Sequence, residues 1–291
     1  MPKVYILILN YNGGDDTLDC LKSLQSITYT NAEIIVIDNA SADGSVDRIK
    51  AAFPGITILQ NEDNLGFAGG NNAGILYALE HSADYIFLLN NDTVVDPGVI
   101  DELVRVGEGN EFIGILGSLI YYYNLPEKVW FAGGKVYWPL GTARHITDVP
   151  EGPREVDFIT GCAFMVKRAV VEKTGAFNPD FFLYYEDTDW SVRAARAGFK
   201  LVVVPASVVW HKEMGTVGHR SPLHEYYVTR NNLLFMGKNA SILNWIFFLP
   251  LFLLKITIKT ILFCARRQSH LVAPIFKGVR DYCGGWLGKQ I

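Results

Sequence analysis

The first 110 residues alternate between two hydrophobic periods. Short apolar runs at 4–9, 33–37, 56–59 and 85–89 have strand length and few polar interruptions, as expected of strands buried on both faces. Between and after them, 17–26, 45–53, 67–81 and 97–106 read as helices. Strands and helices alternating at this spacing predict βαβ units and a mostly parallel sheet with right-handed crossovers. Each apolar run ends on polar residues: Asn10-Tyr11-Asn12, Asp38-Asn39, Asn61-Glu62-Asp63-Asn64 and Asn90-Asn91-Asp92. Parallel strands bring all four ends to one edge, where open α/β sheets bind ligands.

The pattern changes twice further on. From about 110 to 235 it mixes strands, glycines and aromatics, including Tyr121-Tyr122-Tyr123, Trp130-Phe131, Tyr137-Trp138 and 181–185. Most such rings belong in a core, and those at an active-site rim stack on sugar faces. The stretch 244–263 is strongly apolar but contains Pro250, Lys255 and Lys259. At 100° per residue Lys255, Lys259 and Arg266 share one stripe, with Asn244 near it, which predicts an interfacial helix rather than a clean span. Its length approaches the roughly 20 residues that a span needs, so a tilted or re-entrant insertion stays open. Lys255, Lys259, Arg266 and Arg267 are expected to meet anionic lipid headgroups.

Composition narrows the function classes. At 291 residues and 49% hydrophobic, the chain suffices for one large domain or two small ones. The net charge of -4 offers no general basic field for nucleic acid. Cys20, Cys162, Cys264 and Cys283 have no metal-site spacing and suggest a reducing compartment. The N-terminal apolar run is too short for a signal segment and no small-residue cleavage site follows it. It reads as a first strand, and the protein is expected to stay in the cytoplasm.

Several short stretches carry candidate chemistry. Asn90-Asn91-Asp92 is compatible with a plain turn, yet an acid at a strand end also holds a divalent cation, and the cation a diphosphate. Asp38 can accept hydrogen bonds from a ribose or a base imide, while Ser41 or Asp43 caps the next helix. The glycine-rich stretch 64–74 lets a ligand approach the backbone, and a helix N-terminus suits a phosphate. It lacks the dinucleotide fingerprint. Glu186, Asp187 and Asp189 exceed what capping of the helix expected over 191–198 requires, and one can serve as a general base. His211 becomes a metal ligand only if the fold brings it to Asp92.

Together these residues resemble family 2 glycosyltransferases, in particular bacterial rhamnosyltransferase-like members. The resemblance runs through Leu9-Asn10-Tyr11-Asn12, Asp38-Asn39-Ala40-Ser41, Asp43-Gly44-Ser45, 64–72, Asn90-Asn91-Asp92, 182–189, Trp210-His211 and 227–232. It covers about residues 3–235, and its specificity lies in the order of the motifs. It implies an α/β GT-A fold over 1–235, a Rossmann-like nucleotide-sugar-binding half (about 1–109) merged with an acceptor half (110–235). Residues 236–291 would then form a membrane-associating helical tail. It implies an inverting transfer from a dTDP- or UDP-linked sugar, with dTDP-rhamnose favoured over UDP-hexoses or a galactofuranose donor. The acceptor would be a hydroxyl of a glycan or lipid-linked molecule in cell-surface polysaccharide synthesis.

By the same resemblance Asp38 reads the pyrimidine, and Asn10, Tyr11 and Asn12 lie near the nucleoside, with Leu9 and Asn39 beside them. Gly70, Asn71 and Asn72 lie near the ribose or diphosphate. Asp92 matches the last acid of the family's metal motif and holds Mg²⁺ or Mn²⁺, with His211 completing the site. Asp187 matches the catalytic base. Asn90 departs from the acid that many members carry, which removes one anionic ligand and leaves the metal to arrive with the diphosphate. The protein is expected on the inner face of the cell membrane, and a homodimer is left open. A nucleotidyltransferase and a non-catalytic sugar-nucleotide-binding subunit are the competing readings.

Overall fold

The computed structural model describes residues 1–212 and 221–290. The first half is built from β1 (Val4–Asn10), α1 (Gly14–Leu24), β2 (Ala32–Asp38), α2 (Ser45–Ala52), β3 (Thr57–Gln60), α3 (Gly66–Glu80), β4 (Tyr85–Asn90), β5 (Thr93–Val95) and α4 (Val99–Glu108). The chain continues through β6 (Ile113–Tyr122), β7 (Leu125–Phe131), β8 (Gly134–Tyr137), β9 (Thr142–His145), β10 (Arg154–Glu155), β11 (Ala163–Lys167), α5 (Arg168–Thr174), α6 (Glu186–Arg196) and β12 (Lys200–His211). It ends in α7 (Pro222–Asn239), α8 (Ile242–Ala265) and α9 (Val272–Cys283).

The apolar runs become the inner strands of a sheet ordered β10-β12-β6-β11-β4-β1-β2-β3. The neighbours β4, β1, β2 and β3 are parallel, as the strand–helix alternation requires. Ile6, Ile8, Val36, Phe87 and Leu88 are wholly buried. β11 runs antiparallel to both β4 and β6, and β12 runs parallel to β6. Every parallel strand, β12 included, therefore ends at the same edge. β5 folds back antiparallel on the end of β12, pairing Thr93 with His211.

Helix α6 starts five residues earlier than the expected 191, so Glu186, Asp187 and Asp189 lie in its first turn. Carboxylates there are favoured by the helix dipole. Just before it, Phe182, Tyr184 and Tyr185 all adopt positive φ, at 63°, 70° and 75°. Non-glycine residues hold that conformation only when their surroundings enforce it.

Helix α8 contains the expected apolar stretch, with Pro250 inside it and only Phe248, Phe252 and Phe263 buried. Its length and composition are those of a helix able to cross a membrane. The structure corrects the expectation that Lys259 meets lipid. Lys259 turns inward and ion-pairs with Glu225 of α7, whose side chain is 1% exposed. It shares its helix face with the buried Phe248, Phe252 and Phe263, and a buried carboxylate needs such a partner. Lys255, Arg266 and Arg267 remain exposed.

Candidate active site

The ends of β1 and β2 are fastened to each other before any ligand is considered. Asn10 and Asp38 are register partners. The Asn10 amide donates to Asp38 Oδ1 at 2.8 Å and to the hydroxyls of Ser41 (3.1 Å) and Ser45 (2.9 Å). Its carbonyl accepts from Thr17 Oγ1 at 2.8 Å. The second Asp38 oxygen accepts from the Ser41 amide at 3.1 Å. Asn39 ties the β2 end to the next loop, donating to Asn64 and Gly66 and accepting from Asn61 and the Leu65 amide. Asn10, Asp38 and Asn39 are buried, whereas Tyr11 is 38% exposed. Asn12, at φ 50°, is exposed as well. Its backbone N–H donates to Ser41 Oγ, and its side chain accepts from the Ala42 N–H.

The start of α3 departs from expectation. Its first amides are already satisfied: Gly66 N–H donates to Asn64 Oδ1 at 2.8 Å, and Phe67 and Ala68 N–H to the Phe182 carbonyl at 2.7 and 3.2 Å. This helix N-terminus grips the Phe182 carbonyl instead of offering these donors to a phosphate. Gly66, at φ 71°, has no room for a side chain beside Phe182. A Cβ on Gly70 would come within 2.6 Å of Leu9 Cδ1, so this glycine serves close packing of helix on sheet. Asn71 donates to Phe67 O one turn back. Asn72 commits both polar atoms to the Phe177 backbone, at 2.8 and 3.0 Å.

At the end of β4, Asn91 donates to Thr17 Oγ1 at 3.0 Å and lies against Gly13 O, which positions the turn. Asn90 contributes its backbone, its N–H donating to Cys162 O and its carbonyl accepting from Thr93 Oγ1. Asp92 and His211 do meet. Asp92 Oδ1 lies 3.2 Å from His211 Nε2 with both side chains largely buried. The fold explains this, because the pairing of β5 with β12 sets Thr93 opposite His211. His211 Nδ1 is buried without a hydrogen-bond partner. Burial opposes a charge on this ring, Cys162 and Asp92 favour one, and the net shift of its pKa is upward.

Asp187 joins the same edge through two residues of backbone. Its Oδ2 accepts from Gly161 N–H at 2.9 Å, and the adjacent Cys162 carbonyl accepts from Asn90 N–H at 2.9 Å. Its other oxygen accepts from Thr188 N–H at 2.6 Å. Burial raises the Asp187 pKa above the usual carboxylate range, while the Gly161 and Thr188 hydrogen bonds and nearby His145 pull the other way. Burial, with Asp187 beside it, holds Glu186 well above that range. Asp189 lies away from this chemistry. It pairs with Arg193 at 2.8 Å and accepts from Asn239 at 2.7 Å.

A carboxylate–imidazole pair, a raised carboxylate and a polar strand-end crevice form one contiguous region, and residues 5–175 match the family described as Glycosyl transferase family 2. The chain belongs to that family. As a family 2 glycosyltransferase it is 24% identical to the N-acetylglucosaminyl-diphospho-decaprenol L-rhamnosyltransferase of Mycobacterium tuberculosis, over 81% of this chain and 84% of the relative. It is likewise 24% identical to the dTDP-rhamnosyl transferase of Shigella flexneri, over 81% and 80% of the two chains. The GT-A fold is shared with GalNAc-T7 bound to UDP, GalNAc and Mn²⁺ (TM-score 0.66, 18% identity, 81% of this chain and 48% of that one). It is also shared with a Pyrobaculum calidifontis mannosyltransferase bound to GDP-mannose and Mn²⁺ (TM-score 0.61, 15% identity, 97% and 87%).

The structure also brings to this region residues that the sequence left without a role. The Trp130 ring lies edge-to-face against His211 and against His145, with centroids 4.6 and 4.5 Å apart. Residues of β7 and β9 thus lie beside the Asp92–His211 pair. Trp130 was legible only as one of many rings. His145 stands alone in its segment and offers no motif. Cys162, three residues after Ile159, was legible as a cysteine and not as the carbonyl that ties Asp187 to Asn90.

Proposed function

We propose that the protein transfers a rhamnosyl or related hexosyl group from a dTDP- or UDP-linked donor to a hydroxyl of a lipid-linked glycan, with inversion, in cell-surface polysaccharide synthesis. The observation that carries this reading is the Gly161–Cys162 bridge, which puts Asp187 beside the strand end that leads into Asp92. The printed names of the two rhamnosyltransferases support the sugar, and that of the mycobacterial relative supports a diphospho-lipid acceptor. The exposed apolar face of α8, with Lys255, Arg266 and Arg267 near its end, fits attachment to the inner face of a membrane.

Among the described residues no group of three or more His, Cys, Asp or Glu side chains could hold a metal ion. Asp92 and His211, with an unpartnered buried Nδ1, fit Mn²⁺ or Mg²⁺ bound through two protein ligands and completed by a diphosphate and water. When bound, such a cation supplies charge neutralisation to the departing diphosphate. Asp38 and the exposed Tyr11 are placed to bind the nucleoside, and the Asn10 and Asn39 networks keep the Asp38 carboxylate in position. Asp187 takes the proton of the acceptor hydroxyl as that oxygen attacks the anomeric carbon from the face opposite the diphosphate. One displacement with one base inverts configuration, unlike the double displacement of a retaining enzyme.

The test is Asp187→Asn. Removing a general base is expected to lower kcat about 10²–10⁴-fold while donor affinity stays within twofold. In the wild type the acid limb of kcat should lie above the range of a free carboxylate. Burial keeps Asp187 protonated to higher pH, so the base form appears only above its raised pKa and the rate falls as pH drops through it. Wild-type turnover in Asp187→Asn, or an acid limb at the free-carboxylate value, removes Asp187 from the mechanism.

A further inference from the structure

A cavity of about 930 Å³ opens between the first turn of α7 and α9. Leu223, Tyr226, Ala273, Pro274 and Phe276 give it almost wholly apolar walls, and Lys277 and Arg280, one turn apart on α9, line it as well. No residue of the site described above lines it.

The same α7 turn touches two other parts of the molecule. His224 meets Tyr184 edge-on with centroids 5.2 Å apart, three residues before Asp187. Glu225 holds Lys259 of the apolar helix α8. Tyr226, a wall of the cavity, packs against Tyr227 at 4.9 Å, and Tyr227 stacks on Phe182 at 5.1 Å. The α7 turn that borders the cavity therefore also touches the apolar helix and the loop that leads to the proposed base.

Its charge is also suggestive. Arg280 is shared with Asp281 at 2.7 Å and lies over the Trp286 ring. Lys277 has no ion-pair partner among the described residues; its ammonium donates to Gln290 O at 3.5 Å and rests 4.9 Å from the Tyr226 ring centroid. Apolar walls with one cation that no carboxylate neutralises suit an anion that carries a hydrocarbon chain. A free sugar would leave the walls wet, and a nucleotide base would lack polar partners.

We propose that this cavity seats the first isoprene units of a prenyl-diphosphate acceptor, with Lys277 and Arg280 toward its phosphates. This rests on the lipid-linked acceptor reading above and adds where the lipid is held. A tail seated there lies beside the α7 turn whose His224 meets Tyr184, three residues before Asp187.

The probe is farnesyl diphosphate, titrated into the full chain in neutral detergent. Trp286, stacked on Arg280, reports binding through its fluorescence. Wild type should saturate. Ala273→Phe, which narrows the cavity from an exposed position, should weaken binding at least tenfold, and Lys277→Gln several-fold. For a farnesyl-diphosphate-linked sugar, Ala273→Phe should raise KM tenfold or more with kcat and donor hydrolysis unchanged. Binding unaffected by both substitutions, or matched by phosphatidylglycerol at equal concentration, overturns the proposal. Saturable binding at the cavity without transfer to any prenyl-diphosphate-linked sugar sinks the acceptor reading alone and leaves the lipid site standing.

Discussion

The two long helices α7 and α8 follow each other in the chain and invert the usual rule of burial in opposite ways. Helix α7 buries Thr229, Arg230, Asn231, Asn232 and Asn239, while α8 exposes Leu, Ile and Phe along most of its length. The polar side chains of α7 find partners inside the molecule. Asn231 donates to the carbonyls of Phe181, Leu183 and Tyr184 at 2.8–2.9 Å. Arg230 donates to Asp180 O, Phe181 O and Gly288 O. All of those carbonyls except that of Gly288 belong to the stretch that holds Phe182, Tyr184 and Tyr185 at positive φ. The loop before Asp187 is thus held in a costly conformation by a polar helix face that packs like core. Apart from Phe248, Phe252 and Phe263, most apolar residues of α8 are exposed among the described residues, so an apolar phase outside the chain is what they suit. Buried asparagines and exposed leucines are each explained by what stands opposite them.

The sharpest way to break this contrast is Asn231→Leu. The side chain keeps its size, but the part-buried carbonyls at 183 and 184 lose their side-chain donor, while that at 181 keeps Arg230. Unsatisfied buried groups cost about 1–3 kcal/mol each, so a loss of about 2 kcal/mol or more is expected in chemical denaturation. Transfer should fall with it, whereas binding of the nucleotide, proposed above to rest on Asp38 and Asp92, should survive. A loss under about 0.5 kcal/mol, typical of an inert surface change, would show that the loop holds itself.

A smaller effect is expected where the two helices touch. Lys259→Met leaves the Glu225 carboxylate, 1% exposed, with His224 at 3.7 Å as its remaining ion-pair contact among the described residues. Because Lys259 is itself about a quarter exposed, the expected cost is about 1–3 kcal/mol, below that of a fully buried pair. Adding Glu225→Gln should recover most of it by removing the stranded charge. A double-mutant cycle without coupling would mean that α8 is held by packing alone.

The contrast also marks how far the sequence could be read. The inner strands were legible because 4–9, 33–37 and 85–89 are apolar on both faces, and only a strand in a covered sheet uses that pattern. The meeting of Asp92 with His211 was legible only as a conditional, since 119 residues separate them and the antiparallel β5–β12 pairing that joins them leaves no local mark. The glycine-rich start of α3 was misread for a related reason. Glycine permits close approach without saying of what, and here it is Phe182 and the sheet. Periodicity found the basic stripe of α8 but not its direction, because a lysine facing lipid and one facing a buried glutamate have the same spacing. Nor could periodicity show that α7 is buried on a polar face, since pattern reading equates polar with exposed.

The smallest effect on folding is expected on the outer face of α8, and it separates the helices most cleanly. Phe247, Leu251, Leu254, Ile258 and Ile261 fall within roughly 40° of one line on an ideal helix and are all exposed. Leu254 and Ile258 are 56% and 48% exposed, so Leu254→Ser with Ile258→Ser removes little packing. Folding stability should change by less than about 0.5 kcal/mol. Binding to vesicles containing phosphatidylglycerol should weaken by about tenfold or more per residue, because burying one such side chain in an apolar phase is worth about 1.5–3 kcal/mol. Transfer to a short, water-soluble acceptor should be unchanged. A loss of stability well above 0.5 kcal/mol, together with a concentration-dependent change in mass, would mean that this face packs against a second copy of the chain. In that case α8 would follow the rule of α7, with an apolar protein surface in place of polar backbone as its partner.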